Sequence, residues 1–227
     1  GTKKILEDNN IDVISISNLT KQGEIMDGRV KTLHPRIFGG ILADRKNNQH
    51  LKDLHALSSK LVDLVVVNLY PFKNEAIDKK LSFSKAIEFI DIGGPSMLRA
   101  AAKNYINVIS LCHYSQYENF INIFKKNKGF FNNEKRLIFA KDVFQLTAQY
   151  DSQIYNYFNS IDKEKEEFTL LKINELRYGE NPHQKATFYL QKGENQYWKK
   201  IHGKDLSYNN YFDIETSISI VNEFNDL

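Results

Sequence analysis

The sequence holds a single cysteine, Cys112, among its 227 residues. That excludes an internal disulfide and any cysteine-cluster metal site. Long apolar runs are also missing. None approaches the roughly 20 residues of a membrane span, and the opening residues do not read as a signal peptide. Strong charge of one sign is absent too, with 31 basic against 28 acidic residues and a net charge of +3. So mild a balance gives no pervasive field for nucleic acid and is compatible with a small anionic substrate. Neither internal repeats nor low-complexity segments occur. His50 and His55 are five apart on polar ground and Cys112 adjoins His113, but nothing completes a metal site around either. What is present suits a core: 41% hydrophobic and 12% aromatic residues predict a globular, soluble protein. A reducing, cytoplasmic setting is the expectation. The length allows one large domain or one and a half ordinary ones.

Short β-branched apolar runs at 11–16 (IDVISI), 64–69 (LVVVNL) and 107–112 (NVISLC) predict strands of a parallel sheet covered on both faces. The run 37–43 (IFGGILA) is a candidate for a further strand. Between and after them, helices are expected over 50–61, 82–90, the stretch after Gly93-Gly94-Pro95, 116–126 and about 134–158. Strands alternating with helices predict a doubly wound α/β layer. The charged run IDKEKEEF (161–168) is the expected linker. Beyond it, 175–191 reads as a turn and then a strand, and 210–224 as the start of a helix. The chain opens on what reads as half an α/β unit and stops inside an expected helix, so a fragment is expected.

The densest chemistry lies in DGRVKTLHPRIFGG (27–40), where Arg29, Lys31 and Arg36 fall within eight residues. In an extended run, Arg29 and Lys31 would project to one side. With the Thr32 hydroxyl and nearby N–H groups they would suit a phosphate or a developing oxyanion. His34-Pro35 should end any helix there, and Gly39-Gly40 permits a turn or a close approach. The same stretch also reads as an ordinary solvated basic loop.

A second group surrounds IDIGGPSMLRAAAKN (90–104). Glycines and then proline are favoured at helix starts, and such a start offers N–H groups to an anion. Asp91, just upstream, is a turn residue when taken alone and a candidate base in the company of Lys31. Lys103 closes the same helix, where the helix dipole favours a cation. Tyr70 follows the LVVVNL run at a strand end that would feed a site, and Asn68 could hold a carboxamide.

These stretches, in order with DLVVVNLYPF (63–72), ELRYGENPHQ (175–184) and GKDLSYNNYFD (203–213), resemble one family: the bifunctional purine-biosynthesis enzymes that combine AICAR transformylase with IMP cyclohydrolase. The resemblance spans nearly the whole chain, with one departure, because the family usually has histidine where Phe38 stands. It implies a methylglyoxal-synthase-like parallel sheet flanked by helices over 1–163, N-terminally truncated. The truncated start of a second α/β domain, the transformylase, would occupy 164–227.

The resemblance also implies roles. Lys31, Tyr70, Asp91 and Lys103 would line the cyclohydrolase site, which closes the formylated nucleotide FAICAR to IMP with loss of water. Lys31 and Tyr70 would stabilise the oxyanion, and Asp91, partnered by Lys103, would move protons. Arg29, Thr32, Asn68, Gly93 and Gly94, with Val30, Leu69 and Ile92 alongside, would hold the nucleotide. Gly1 and Thr2 would be the tail of a phosphate-contacting glycine turn. In the transformylase part, Arg177, Tyr178 and Asn210 would contact AICAR, with 10-formyltetrahydrofolate as the co-substrate of the complete enzyme. No metal or cofactor is implied for ring closure, and a homodimer is implied for the complete protein. A non-catalytic nucleotide-sensing module of the same fold is the alternative; an RNA-binding protein is a weak third.

Overall fold

The computed structural model describes residues 2–162 and 169–224, and the chain divides into two compact units, Gly1–Glu164 and Lys165–Leu227. Gly1 and positions 163–168, most of the expected linker, lie outside the described residues.

Helix α1 (Thr2–Asp8) buries none of its residues. The expected strand over 11–16 is not formed. Residues 11–15 carry no ladder, Ile11 and Ile14 are exposed, and α2 (Ile16–Thr20) starts at Ile16 under a Ser15 cap. Nor is 29–31 extended. Met26, Asp27 and Gly28 all have positive φ in a single 3-10 turn, and Arg29 follows in helical geometry. Asp27-Gly28 is a turn-forming pair, so Arg29 and Lys31 leave a bend rather than a strand.

The candidate strand at 37–43 is instead helix α3 (Pro35–Leu42). His34 starts this helix rather than ending one. Its backbone is extended, its Nδ1 accepts from Arg36 N–H at 3.1 Å, and Pro35 sits at the first helical position, where no N–H is needed. Gly40 explains the tight packing: an added Cβ would collide with the Lys60 carbonyl oxygen, and Val62 N–H donates to the Gly40 carbonyl. The polar connection is α4 (Asn48–Ala56), capped by the Asn47 side chain.

The sheet of this unit is short. Strand β1 (Leu64–Val66) pairs in parallel with β2 (Ile109–Leu111), Val65 facing Ser110 across the ladder. Between them come α5 (Phe83–Ile87) and α6 (Gly93–Lys103). After β2 follow α7 (Tyr117–Lys126) and the long α8 (Asn133–Asp162). Helix α6 is the centre of the core, with Leu98 and Ala101 fully buried among Ile37, Ile41, Val65, Val108 and Val143. Its run of alanines lets α3 and α8 come close on either side, the reason a stripe of small residues suits a buried helix. A second cluster joins Phe72, Ala76, Ala86 and Tyr150.

In the second unit β3 (Leu170–Glu175) and β4 (Thr187–Gln191) form an antiparallel pair, followed by α9 (Tyr208–Asn222). Strand β3 was not foreseen. Its mixed sequence LLKINE adjoins the charged run and carries no clean alternation.

Candidate active site

The N-terminus of α6 is where the sequence-expected residues converge. A Cβ added to Gly93 would lie 2.5 Å from Thr32 Oγ1, so the loop before α3 rests directly on the helix start. A Cβ on Gly94 would meet the Asp91 carboxylate and Leu69 Cδ2. The residues leaving β1 therefore pass the same point. Asp91 Oδ1 accepts from Gly94 N–H at 2.9 Å, a carboxylate bonded into the first turn of the helix that follows it. That bond satisfies one of the N–H groups that a helix start leaves without an intrahelical partner.

Around this point the side chains are differently disposed. Asn68 Nδ2 donates to the Tyr117 hydroxyl at 2.8 Å, so its amide is held by α7. Tyr70 and Ile92 are exposed, and Val30 is half-buried. Arg29 Nη2 donates to both oxygens of Glu88 at 2.5 and 2.6 Å, which ties it three residues upstream of Asp91. Lys31 Nζ lies 2.5 Å from Glu24 Oε1. Both pairs are more than half exposed, so each contributes about 0–1 kcal/mol and is readily exchanged for another anion. Phe38 is partly buried and packs against the α6 core, an apolar role with no polar contact.

Two expected members stand apart. Lys103 ends α6, and ten residues of helix put it about 15 Å along the axis from Gly93. No ion pair joins it to Asp91 among the described residues. Thr2 opens α1 and is exposed; Gly1 lies outside the described residues.

Sequence reasoning missed Tyr150. It is 5% exposed on α8, and its hydroxyl accepts from the Asp91 backbone N–H at 2.7 Å. Burial pushes its phenol above the usual tyrosine range, the charges of Asp91 and Asp151 add to this, and the bond from Asp91 N–H opposes it. Nothing in the sequence around QLTAQYDSQ distinguishes this tyrosine from its neighbours on the helix.

In the second unit, Arg177 stacks on Tyr178, its guanidinium carbon 4.8 Å from the ring centre, with a 3.1 Å bond to the phenol oxygen. Arg177 N–H donates to Leu206 and Tyr208 N–H to Tyr178, which brings this pair beside the start of α9. The Asn210 side-chain oxygen is occupied, accepting from Ser207 N–H at 3.1 Å and from the Ser207 hydroxyl at 3.0 Å. A separate open cavity of about 850 Å³ is lined by Phe188, Tyr197, Trp198, Tyr211 and Glu215. Among the described residues no three His, Cys, Asp or Glu side chains come together as metal ligands, and no helix is long and apolar enough to cross a membrane.

Residues 101–227 match the AICARFT/IMPCHase bienzyme family, and residues 1–96 match the MGS-like domain. The first match alone covers more than half of the chain. This chain belongs to the AICARFT/IMPCHase bienzyme family. The bifunctional purine biosynthesis protein PurH of Caldicellulosiruptor saccharolyticus is 46% identical over 237 residues. That of Bacillus subtilis is 46% identical over 234. Each alignment covers 100% of this chain and 46% of the relative, so the chain spans about half the length of the curated relatives it matches. A solved structure, the crystal structure of ForH, is 32% identical with a TM-score of 0.58, over 68% of this chain and 80% of the other. The family member described here is thus α/β: an MGS-like, helix-rich layer around a small parallel sheet, then residues matching the bienzyme part.

Proposed function

We propose that the first unit of this bienzyme-family chain is an IMP cyclohydrolase, closing FAICAR to IMP with loss of water. The observation that carries this reading is the meeting of Thr32, Asp91, Gly93 and Gly94 at the start of α6. At that helix start Gly94 N–H is taken by Asp91 and Pro95 has none, which leaves the Gly93 N–H for an anionic nucleotide group, and the carboxylate beside it can take and return protons. In the reaction, the carboxamide nitrogen attacks the formyl carbon and charge grows on the formyl oxygen. Lys31 and the exposed Tyr70 hydroxyl are the groups offered to that oxygen. Asp91 takes the proton from the attacking nitrogen and passes it to the formyl oxygen; loss of the formamide N–H proton, delivered to the same oxygen, then forms the ring C=N bond and releases water. Arg29, with Asn68, Val30, Leu69 and Ile92, completes the nucleotide contacts. Since Arg29 and Lys31 are each held by an exposed carboxylate in the free chain, substrate phosphate or oxyanion has to displace Glu88 and Glu24. Lys103, about 15 Å along α6 from Gly93, is given no step in this reading.

For the second unit we read Arg177, Tyr178 and Asn210 as contacts for AICAR, with 10-formyltetrahydrofolate as formyl donor in a full-length relative. Small nucleotides are the ligands, a cytoplasmic setting follows from the pathway, and a homodimer is the expected assembly. The separation of Lys103 from Asp91 favours one competing reading, a nucleotide-sensing module of the same fold that binds without turnover.

The test is IMP formation from FAICAR by the purified chain, with Lys31→Ala and Asp91→Asn in parallel. Turnover lost in both variants supports the cyclohydrolase. IMP binding by a folded chain that never turns over supports the sensing module.

A further inference from the structure

Tyr150 stands at a place where a phenylalanine would satisfy the packing. Its ring lies in the cluster of Phe72, Ala76 and Ala86, against Leu69 and Ile90. The hydroxyl, however, reaches into the turn between α5 and α6, where it accepts from Asp91 N–H at 2.7 Å and donates to the Phe89 carbonyl at 3.4 Å. That turn is a point of departure from helical bonding. Phe89 N–H still reaches back to Ala86 and Ile90 N–H to Ile87, but Asp91 N–H donates to Tyr150. Without the phenol this half-buried N–H would have to find another acceptor.

Asp91 is therefore held twice. Its backbone is fixed from the core by Tyr150, and its carboxylate is fixed from the helix by Gly94 N–H at 2.9 Å. Leu69 packs on the Tyr150 cluster as well as on the α6 core, so the strand exit carrying Asn68 and Tyr70 is referenced to the same ring. A rigid phenol on a thirty-residue helix is a firmer anchor than the turn itself could provide.

We propose that Tyr150 is a positioning residue of the α6 site, its hydroxyl setting where the Asp91 carboxylate stands when it moves protons. This rests on the reading of Asp91 as the proton-handling group. The burial that pushes the phenol up keeps the hydroxyl neutral, with a proton for Phe89, throughout the ordinary working range. A misplaced general base costs rate more than binding, so the signature is a split between kcat and KM.

The experiment uses Tyr150→Phe, which keeps the ring and deletes the hydroxyl. We expect a folded chain in which kcat for ring closure falls about tenfold while KM for FAICAR and affinity for IMP stay within about twofold. The amide resonances of Asp91 and Gly94 should move further than those of Leu98, deep in α6. An unchanged kcat, or kcat and IMP affinity falling together, would overturn the proposal. Amide exchange in the unaltered chain tests the Tyr150–Asp91 bond on which the proposal stands even if that variant does not fold. Asp91 N–H should be protected although it lies outside any helix, and exchange at the rate of an open loop would overturn the assignment. Loss of turnover in Asp91→Asn with an unprotected Asp91 amide would leave the cyclohydrolase reading standing and remove Tyr150 from it; a protected amide with no turnover anywhere would leave only the Tyr150–Asp91 bond and overturn the positioning role together with the cyclohydrolase reading.

Discussion

The Thr32 hydroxyl oxygen rests against Gly93 so closely that a methyl group added there would lie 2.5 Å from it. This contact joins the basic 27–40 stretch to the helix that begins at Gly93, and it explains why the first helical position has no side chain. Gly93→Ala should cost about 1–3 kcal/mol, the usual penalty of overpacking. Thr32→Ala should relieve most of it, because the Thr32 Cβ itself is 3.9 Å away. Urea unfolding of both single variants and the double one measures the coupling; additive losses would show that the two do not meet.

Two adjacent glycines in α3 should behave oppositely. Gly39 faces only Leu54 and Leu57 at ordinary contact distances, so Gly39→Ala should be neutral or stabilise by up to about 1 kcal/mol through helix propensity. Gly40 abuts the Lys60 carbonyl, which is backbone and cannot swing away. Gly40→Ala should destabilise by about 1–3 kcal/mol, seen as a lower Tm.

The same α3 shows where the sequence was readable and where it was not. IFGGILA is a short apolar run, and such runs do not distinguish a buried strand from a buried helix. What decided the outcome was the His34 side chain acting as a cap and Pro35 at the first position, which were read as stop signals. The α6 start was legible because Gly-Gly-Pro before an alanine run has few other uses. The disposition of Arg29 and Lys31 was not, since it depends on positive φ at Met26 and Asp27 and on carboxylates, Glu24 and Glu88, that sequence reading had not linked to them. Tyr150 was invisible because its partner lies 59 residues away.

Glu88 competes with nucleotide phosphate for Arg29. Glu88→Gln should tighten IMP binding about two- to fivefold at low salt, the reach of an exposed ion pair worth under about 1 kcal/mol. The gain should fade as the Debye length shortens in molar salt. Calorimetric titration at two salt concentrations measures it.

Burial pushes the Cys112 thiol from its ordinary 9.0 to about 11, with the charge of Asp142 adding to the effect. The folded state then keeps its proton after the unfolded chain has lost it. The resulting stability is present below pH 9 and is lost as pH rises through 11. Tyr150, also raised, acts in the same direction from its own higher range. Stability should decline above pH 9, with a shallower slope between 9 and 11 in Cys112→Ala. At neutral pH the native thiol, only 4% exposed, should react with alkylating reagents no faster than the chain unfolds.

The central claim is that nucleotide sits at the start of α6. It is tested most directly by following backbone amide resonances while IMP is added to the chain. The account predicts saturable shifts confined to the neighbourhood of residues 29–34, 68–70 and 91–94, largest at Gly93 and Gly94. Saturable shifts elsewhere with those residues unmoved, or no binding by a folded chain, would contradict it.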